Sequence, residues 1–420
     1  MSEDTLFAHQ IELGYVNGRG TAWQNWDENE RVPELQWPNS VDVYRRMMSE
    51  DGRISSVIEA ITLPILRTDW RIDRNGASDE VVDFVASELG LPIDGITATS
   101  NPRTRGRFSW SEHLQAALQM LSLGHSFFEQ IYRFGDDGRV HLRKLAPRPQ
   151  ETILRVNVAL DGGLESIEQD PPAYASGMIF GPGPVKIPVS NLVAYVRMRR
   201  SGVWTGASIL RPAYKHWLLK DEFMRLQAAT ARRNGMGVPV ATAANPDDPN
   251  EVKKMKALAS GFKGGAQSGV GLANGQTLEL LGVQGNLPDM QQAIEYHDKQ
   301  IALAGLAHFL NLDKGGSYSL ASVLNDTFVQ SVQSVAEQIR DVANAHIVED
   351  LVDLNFGRDV ASPRIVFDPI GSRQDPTAAA LAMLRQAGLL DDDDVIKAAV
   401  RQKFGIPLAP AASQSEEVPQ

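Results

Sequence analysis

A glycine-rich run, GFKGGAQSGVG at residues 261–271, is the first place where this sequence could do chemistry, because successive backbone N–H groups in such a loop can cradle a phosphate. It lacks the Gly-Lys-Ser/Thr ending of a phosphate loop, and it leads into strand-like residues where an anion would need a helix N-terminus. A loop at the end of an insert is the plainer reading. The eight histidines, His113, His125, His297 and His308 among them, show neither the H-E-x-x-H pattern nor close pairing, so no zinc site is predicted. Four adjacent carboxylates, Asp391 to Asp394, resemble a metal cluster in composition, but at a predicted helix start they complement the helix dipole. There is no cysteine and no G-x-S-x-G turn, and no serine has an assignable base partner. Lys253, Lys254 and Lys256 form a solvated cationic face or a patch that a partner would touch. No catalytic, cofactor or metal site is therefore expected.

The elements that carry these residues centre on 208–356. A helix is predicted from Ser208 or Arg211, with Pro212 in its first turn, to Asn234, where Gly235 can stop it. Leu210, Tyr214, Trp217, Met224, Ala228 and Ala231 recur at three and four, and Asp221 falls on the same stripe. A carboxylate there needs a cation or water, and a neighbouring subunit is one source of the cation. Arg232 and Arg233 suit the negative end of the helix dipole. An insert at 235–287 follows: a strand near 237–242, a polar turn NPDDPN, a short helix bearing the three lysines, and a hairpin VGLANGQTLELL. In that hairpin Asn274 and Gly275 would supply the two positive φ angles of a type I′ turn. A return helix is predicted over 288–310. The stretch NLDKGGSYS at 311–319 breaks the pattern, and a helix of roughly 50 Å over 320–356 ends at Gly357.

Ahead of this section, residues 1–39 are polar, with Trp23, Trp26 and Trp37 as anchors either for a partner or for the chain's own body. Ser40 is expected to cap a helix through Met48, and Pro64 to close a second that starts at Arg53. RTDWRIDR alternates like a strand; 80–89 and 110–123 read as helices, the latter begun by Ser109 or Ser111. HSFFEQIYRF and RVHLRKL flank Gly135-Asp136-Asp137-Gly138 as a hairpin, TILRVNVAL and LVAYVRMR add strands, and a proline-rich link covers 171–188. Residues 40–200 thus form one α+β body, to which RIVFDPI returns. Helices are predicted at 376–386 and up to Phe404, before a disordered tail.

At 420 residues with 43% hydrophobic content, the chain can build a substantial core. Absence of cysteine fits assembly in reducing cytosol. The opening MSEDTLFAHQ predicts no secretory leader, and no apolar run is long enough to span a membrane. A net charge of −11 argues against tight nucleic-acid binding, leaving transient DNA contact open.

Taken in order, VYRRMMSEDGRISSVIEAITLPILRTDWRI, GASILRPAYKHWLLKDEFMRLQAATARRNGMGVPV, the β-α-ββ insert, the return helix, the long helix ending DLVDLNFG, and LLDDDDVIKAAVRQKFGIPLAP resemble the portal proteins of tailed double-stranded DNA phages, in particular the Mu-like group. The resemblance covers most of the chain from about Val41. It implies an α+β portal-type fold: an N-terminal arm (1–39), a wing (40–207), a stem helix (208–234), a clip (235–287), a second stem helix (288–310), a tunnel loop (311–320), a long wing helix (321–357), a wing strand (358–375), crown helices (376–406) and a tail (407–420).

It also implies a ring, usually of twelve subunits, at one capsid vertex of the virion, assembled in the host cytoplasm. Asn311, Asp313, Lys314, Gly315, Gly316, Ser317, Tyr318 and Ser319 would face double-stranded DNA passing through the channel. Lys253, Lys254, Lys256, Asn274 and Gly275 would meet the large terminase subunit and then the head-tail adaptor, while Asp221, Arg225, Arg232 and Arg233 would lie between stem helices. Major capsid and scaffold proteins complete the implied partners; no membrane and no cofactor are implied. One lysine in the tunnel loop would bind phosphates weakly and let DNA slide. Alternatives from other classes are a metal-dependent nuclease, which needs acidic groups converging on Mg²⁺, and a head-tail adaptor without a channel.

Overall fold

The computed structural model describes residues 30–96, 108–170, 183–199, 202–236, 238–262, 269–281, 289–305 and 318–371. Residues 1–368 form one unit and 369–420 a second, of which only 369–371 are described. The arm before Glu30, with Trp23 and Trp26, the expected crown helices and the tail lie outside the described residues.

In chain order the first unit runs α1 (Asn39–Glu50), α2 (Gly52–Arg67), β1 (Trp70–Asp73), α3 (Asp79–Leu89), α4 (Trp110–Ala117) and α5 (Gln119–Leu123). Strands β2 (His125–Phe134), β3 (Val140–Arg148), β4 (Ile153–Val158), β5 (Leu164–Gln169), β6 (Val185–Pro188) and β7 (Leu192–Val196) follow. Then come α6 (Tyr214–Met236), β8 (Val238–Thr242), α7 (Pro249–Gly261), β9 (Thr277–Leu281), α8 (Met290–Ala304), α9 (Tyr318–Ala343), α10 (Glu349–Phe356) and β10 (Arg364–Phe367). The fold is α+β. Among the described residues, antiparallel pairing gives two three-stranded sheets, β3-β2-β7 and β4-β5-β6, and two ribbons, β1-β10 and β8-β9.

Several local expectations are corrected. Ser40 does not cap α1: it sits inside the helix, which Pro38 precedes without a side-chain cap. Asp51 is the effective cap of this region, its carboxylate accepting from the N–H groups of Arg53 and Ile54 at the head of α2. Pro64 does not close α2, which continues to Arg67; so near the end a proline removes one bond only, and buried Ile61 and Ile65 hold the last turns down. The helix predicted over 110–123 is two, broken at Leu118, with Ser109 capping the first through Glu112 N–H. Strands β5 and β6 went unpredicted, the latter inside the expected proline-rich link.

The β2-β3 hairpin turns at residues 135–138 as predicted, with Gly135 N–H donating to Arg139 O at 2.8 Å. At the root of β2, Gly124 (φ +89°) and Gly206 (φ +65°) approach back to back, and a Cβ on either would overlap the other loop's backbone. This contact lets Arg197 N–H reach Gly124 O at 2.9 Å and Ala207 N–H reach Arg197 O at 3.0 Å, tying β2 and β7 to the chain that leads into α6.

Over this sheet lies the long helix. It runs from Tyr318 to Phe356, but a π-turn at Asn344–Val348 interrupts it between α9 and α10. A side chain meets the backbone at this π-turn: Gln130 on β2 donates to His346 O at 2.8 Å, and also to the carboxylate of Asp350, Oδ2, at 2.8 Å. Two asparagines on this helix act as strand partners. Buried Asn344 accepts from Ile365 N–H at 2.7 Å and donates to Ile365 O at 3.2 Å, on the edge of β10 that β1 leaves open. Asn355 treats Val140 of β3 in the same way, at 2.8 and 2.9 Å.

Candidate functional site

Ser208 is predicted to start the stem helix and does something else. Its hydroxyl donates to Ser122 O and accepts from Leu210 N–H, forming a turn on the body, and α6 begins at Tyr214. Nor does Gly235 stop it, since α6 reaches Met236 and spans about 34 Å. Asp289, whose carboxylate accepts from Gln291 and Gln292 N–H, caps the returning α8. Gly305 closes α8 against α2: a Cβ there would overlap Val57.

At its root the α6-α8 pair is held by charge. Lys220, half-buried on α6, reaches Asp51 Oδ2 at 3.0 Å and Asp298 Oδ1 of α8 at 2.6 Å. Burial opposes its charge, yet the hydrogen bonds it donates to Asp298 and Asp51 outweigh that and raise its pKa. One turn earlier, His216 Nδ1 faces His297 Nδ1 at 3.0 Å, with Phe223 stacked on His297 and Tyr296 edge-on to both rings. The histidines show no close pairing along the sequence, yet these two, 81 residues apart, meet in space.

The outward side of the pair is bare, at the root as well as past it. Leu218, Leu219, Met224, Leu226 and Tyr296 are exposed, Met224 at 49% and Tyr296 at 55%. The apolar stripe predicted through Trp217 and Met224 is therefore buried only at its first turns. Asp221 finds its cation in its own helix, Arg225 Nε lying 2.8 Å away, and the pair is solvent-exposed. Arg232 and Arg233 ride on the final turns of α6.

The insert is small: β8 pairs with β9, Val238 opposite Leu281, and α7 lies against them with Met255 as its buried residue. The predicted hairpin around Asn274 and Gly275 is not formed. Gln276 N–H bonds to Ala273 O across a turn in which Gly275 alone has positive φ (+84°), and β9 pairs with β8 instead of the preceding residues. Gly275 is needed because a Cβ would press on Ala244. Glu251 joins the insert: its carboxylate accepts from Gln276 Nε2 at 2.7 Å, Ala244 N–H at 3.0 Å and Asn245 N–H at 2.9 Å, and these bonds hold its pKa down. Lys253, Lys254 and Lys256 are exposed on α7, and Val240, Val252, Leu272, Leu280 and Leu281 are exposed around them.

Sequence reasoning did not single out Lys220, His216 or Glu251. For Glu251 a signal existed: Asp248-x-x-Glu251 is a capping-box spacing, although here the carboxylate reaches past the cap to Ala244 and Asn245. Of the predicted channel residues, Asn311, Asp313, Lys314, Gly315, Gly316 and Ser317 lie outside the described residues, while Tyr318 and Ser319 belong to the first turn of α9 and not to a loop. Among the described residues no group of three or more metal-ligating side chains converges, and no helix is long and apolar enough to cross a membrane.

A family model described as "Portal protein of Mu bacteriophage" matches residues 41–406. Among solved structures, the chain is similar to one in the neck of an empty GTA particle computed with C6 symmetry, at 14% identity and a TM-score of 0.54, over 89% of this chain and 95% of that one. It is also similar, at 14% identity and the same coverage, to chains in the neck of a native GTA particle computed with C12 symmetry (TM-score 0.52) and in the virion of a native gene transfer agent particle (TM-score 0.51). At that identity these likenesses establish the fold.

Proposed function

The chain belongs to the family of the portal protein of Mu bacteriophage, and from that membership we propose that it is the repeating subunit of a ring, of about twelve copies, at one vertex of a virion capsid. Double-stranded DNA enters and leaves through the ring. Residues 311–319 line the passage, the α6-α8 pair forms the wall, and the insert with Lys253, Lys254, Lys256, Asn274 and Gly275 meets the packaging motor and later the head-tail adaptor. The subunit performs no catalysis itself.

The observation that carries this reading is the bare helix pair. An isolated globule would bury Leu218, Leu219, Met224 and Leu226, whereas in a ring each pair packs against the next and removes them from water. The two-stranded β8-β9 ribbon points the same way, because a ribbon with a single buried helical side chain beside it is marginal alone. Electron microscopy of the purified protein should give annular views with a central hole. Replacing both Leu219 and Leu226 by Glu should reduce the particle to smaller species by light scattering while the wing stays folded. Cleavage of DNA by the purified protein with Mg²⁺ or Mn²⁺, or a wild-type monomer without rings, would overturn the proposal.

A further inference from the structure

The paired histidines at the root of α6 and α8 have no task in the reading above. Two imidazoles 3.0 Å apart through Nδ1 atoms can share a single proton: one ring donates Nδ1–H and the other accepts on its lone pair. They are two donors with no third ligand grouped beside them among the described residues, so they do not make a metal site. We propose that His216 and His297 form a proton-sensitive clasp, closed when the pair holds one Nδ1 proton between the rings and opened by acid, which separates α6 from α8 at their root.

The chemistry around the clasp sets its direction. A first added proton leaves the contact intact, since an imidazolium Nδ1–H still has a neutral Nδ1 to donate to. A second makes both atoms donors and puts two cations within contact distance, and the bond cannot survive. The ionisable neighbours favour opening. Lys215 and Lys220 on α6 are cationic, and the nearby carboxylates, Asp298 of α8 and Asp51 at the head of α2, are already engaged by Lys220. Tyr296 and Phe223 wall the pair with rings. Burial holds both imidazoles below their ordinary range, and for His216 Lys215 and the facing ring add to it. The clasp is therefore closed at neutral pH. Lys220 sits one helical turn along, so opening loosens the same root that the ion pairs hold.

Hydrogen exchange on the full-length protein at pH 7.5, 6.0 and 5.0, corrected for the intrinsic pH dependence of exchange, tests this. Peptides covering 214–223 and 290–301 should lose protection severalfold by pH 5.0, because the opened rings take up protons that the closed pair refuses. His216→Phe keeps a ring against Tyr296 and removes one of the two protonation sites, so its α6 and α8 peptides should lose much less. His216→Gln serves if the Phe variant does not fold. Protection in these peptides that is flat across the three pH values, or lost equally in wild type and the folded variant, overturns the clasp. The test does not depend on ring formation.

Discussion

At the scale of single residues, Lys220 has the most to lose. Its ammonium serves Asp51, whose side chain is 4% exposed, and Asp298, from a side chain itself 12% exposed. Deleting one partner from such an arrangement leaves buried charge uncompensated, at a cost of about 3 kcal/mol or more. Lys220→Met should accordingly lower the thermal midpoint far more than Arg225→Met, whose ion pair with Asp221 stands in solvent and contributes little. Equal midpoints for the two variants would sink this account. The sequence did not mark Lys220, because it meets Asp51 across 169 residues and no local pattern encodes that.

Among the elements, the long helix shows how packing reads out in function. Its apolar period was legible, but the π-turn at Asn344–Val348 was not, since it exists to aim side chains at strand edges that the sequence had not placed. Asn344 satisfies both backbone groups of Ile365, and each would otherwise be a buried orphan costing about 1–3 kcal/mol. Asn344→Leu should therefore destabilise the β1-β10 ribbon by about 2–4 kcal/mol, read as faster exchange of Ile365 N–H. Asn355→Leu should cost less, because Asn355 is only half-buried and Val140 can turn to water. If the two exchanged alike, the strand-partner role would be wrong.

For the whole molecule, stability should pass through a maximum near neutral pH. His113 and His125 are buried, and burial pushes them down to about 3 and about 4. Each accepts its proton in the unfolded chain near pH 6.5 but refuses it when folded. Their contribution is thus complete above 6.5 and lost as pH falls, by about 2 kcal/mol each at pH 5. His141 runs the other way. Burial opposes its charge, but hydrogen bonds to Glu88 (2.8 Å) and Asp137 (3.0 Å) raise it, so its stabilisation is present below 6.5 and lost as pH climbs through the raised value. Thermal midpoints at pH 5, 6.5 and 8.5 should rise and then fall, and His141→Gln should flatten the alkaline limb alone. What the sequence determined unaided was whatever one segment encodes by itself: the helical periods of α6 and of 320–356, the 135–138 hairpin, and the order of elements that resembles a portal. Only the tertiary structure decided which side chains meet, His216 with His297, Lys220 with Asp51, Asn344 with Ile365, and which apolar residues of α6 stay uncovered. The reason is physical: a period records which face of an element is apolar, whereas a contact between distant segments depends on how those faces are brought together, and no single segment carries that information.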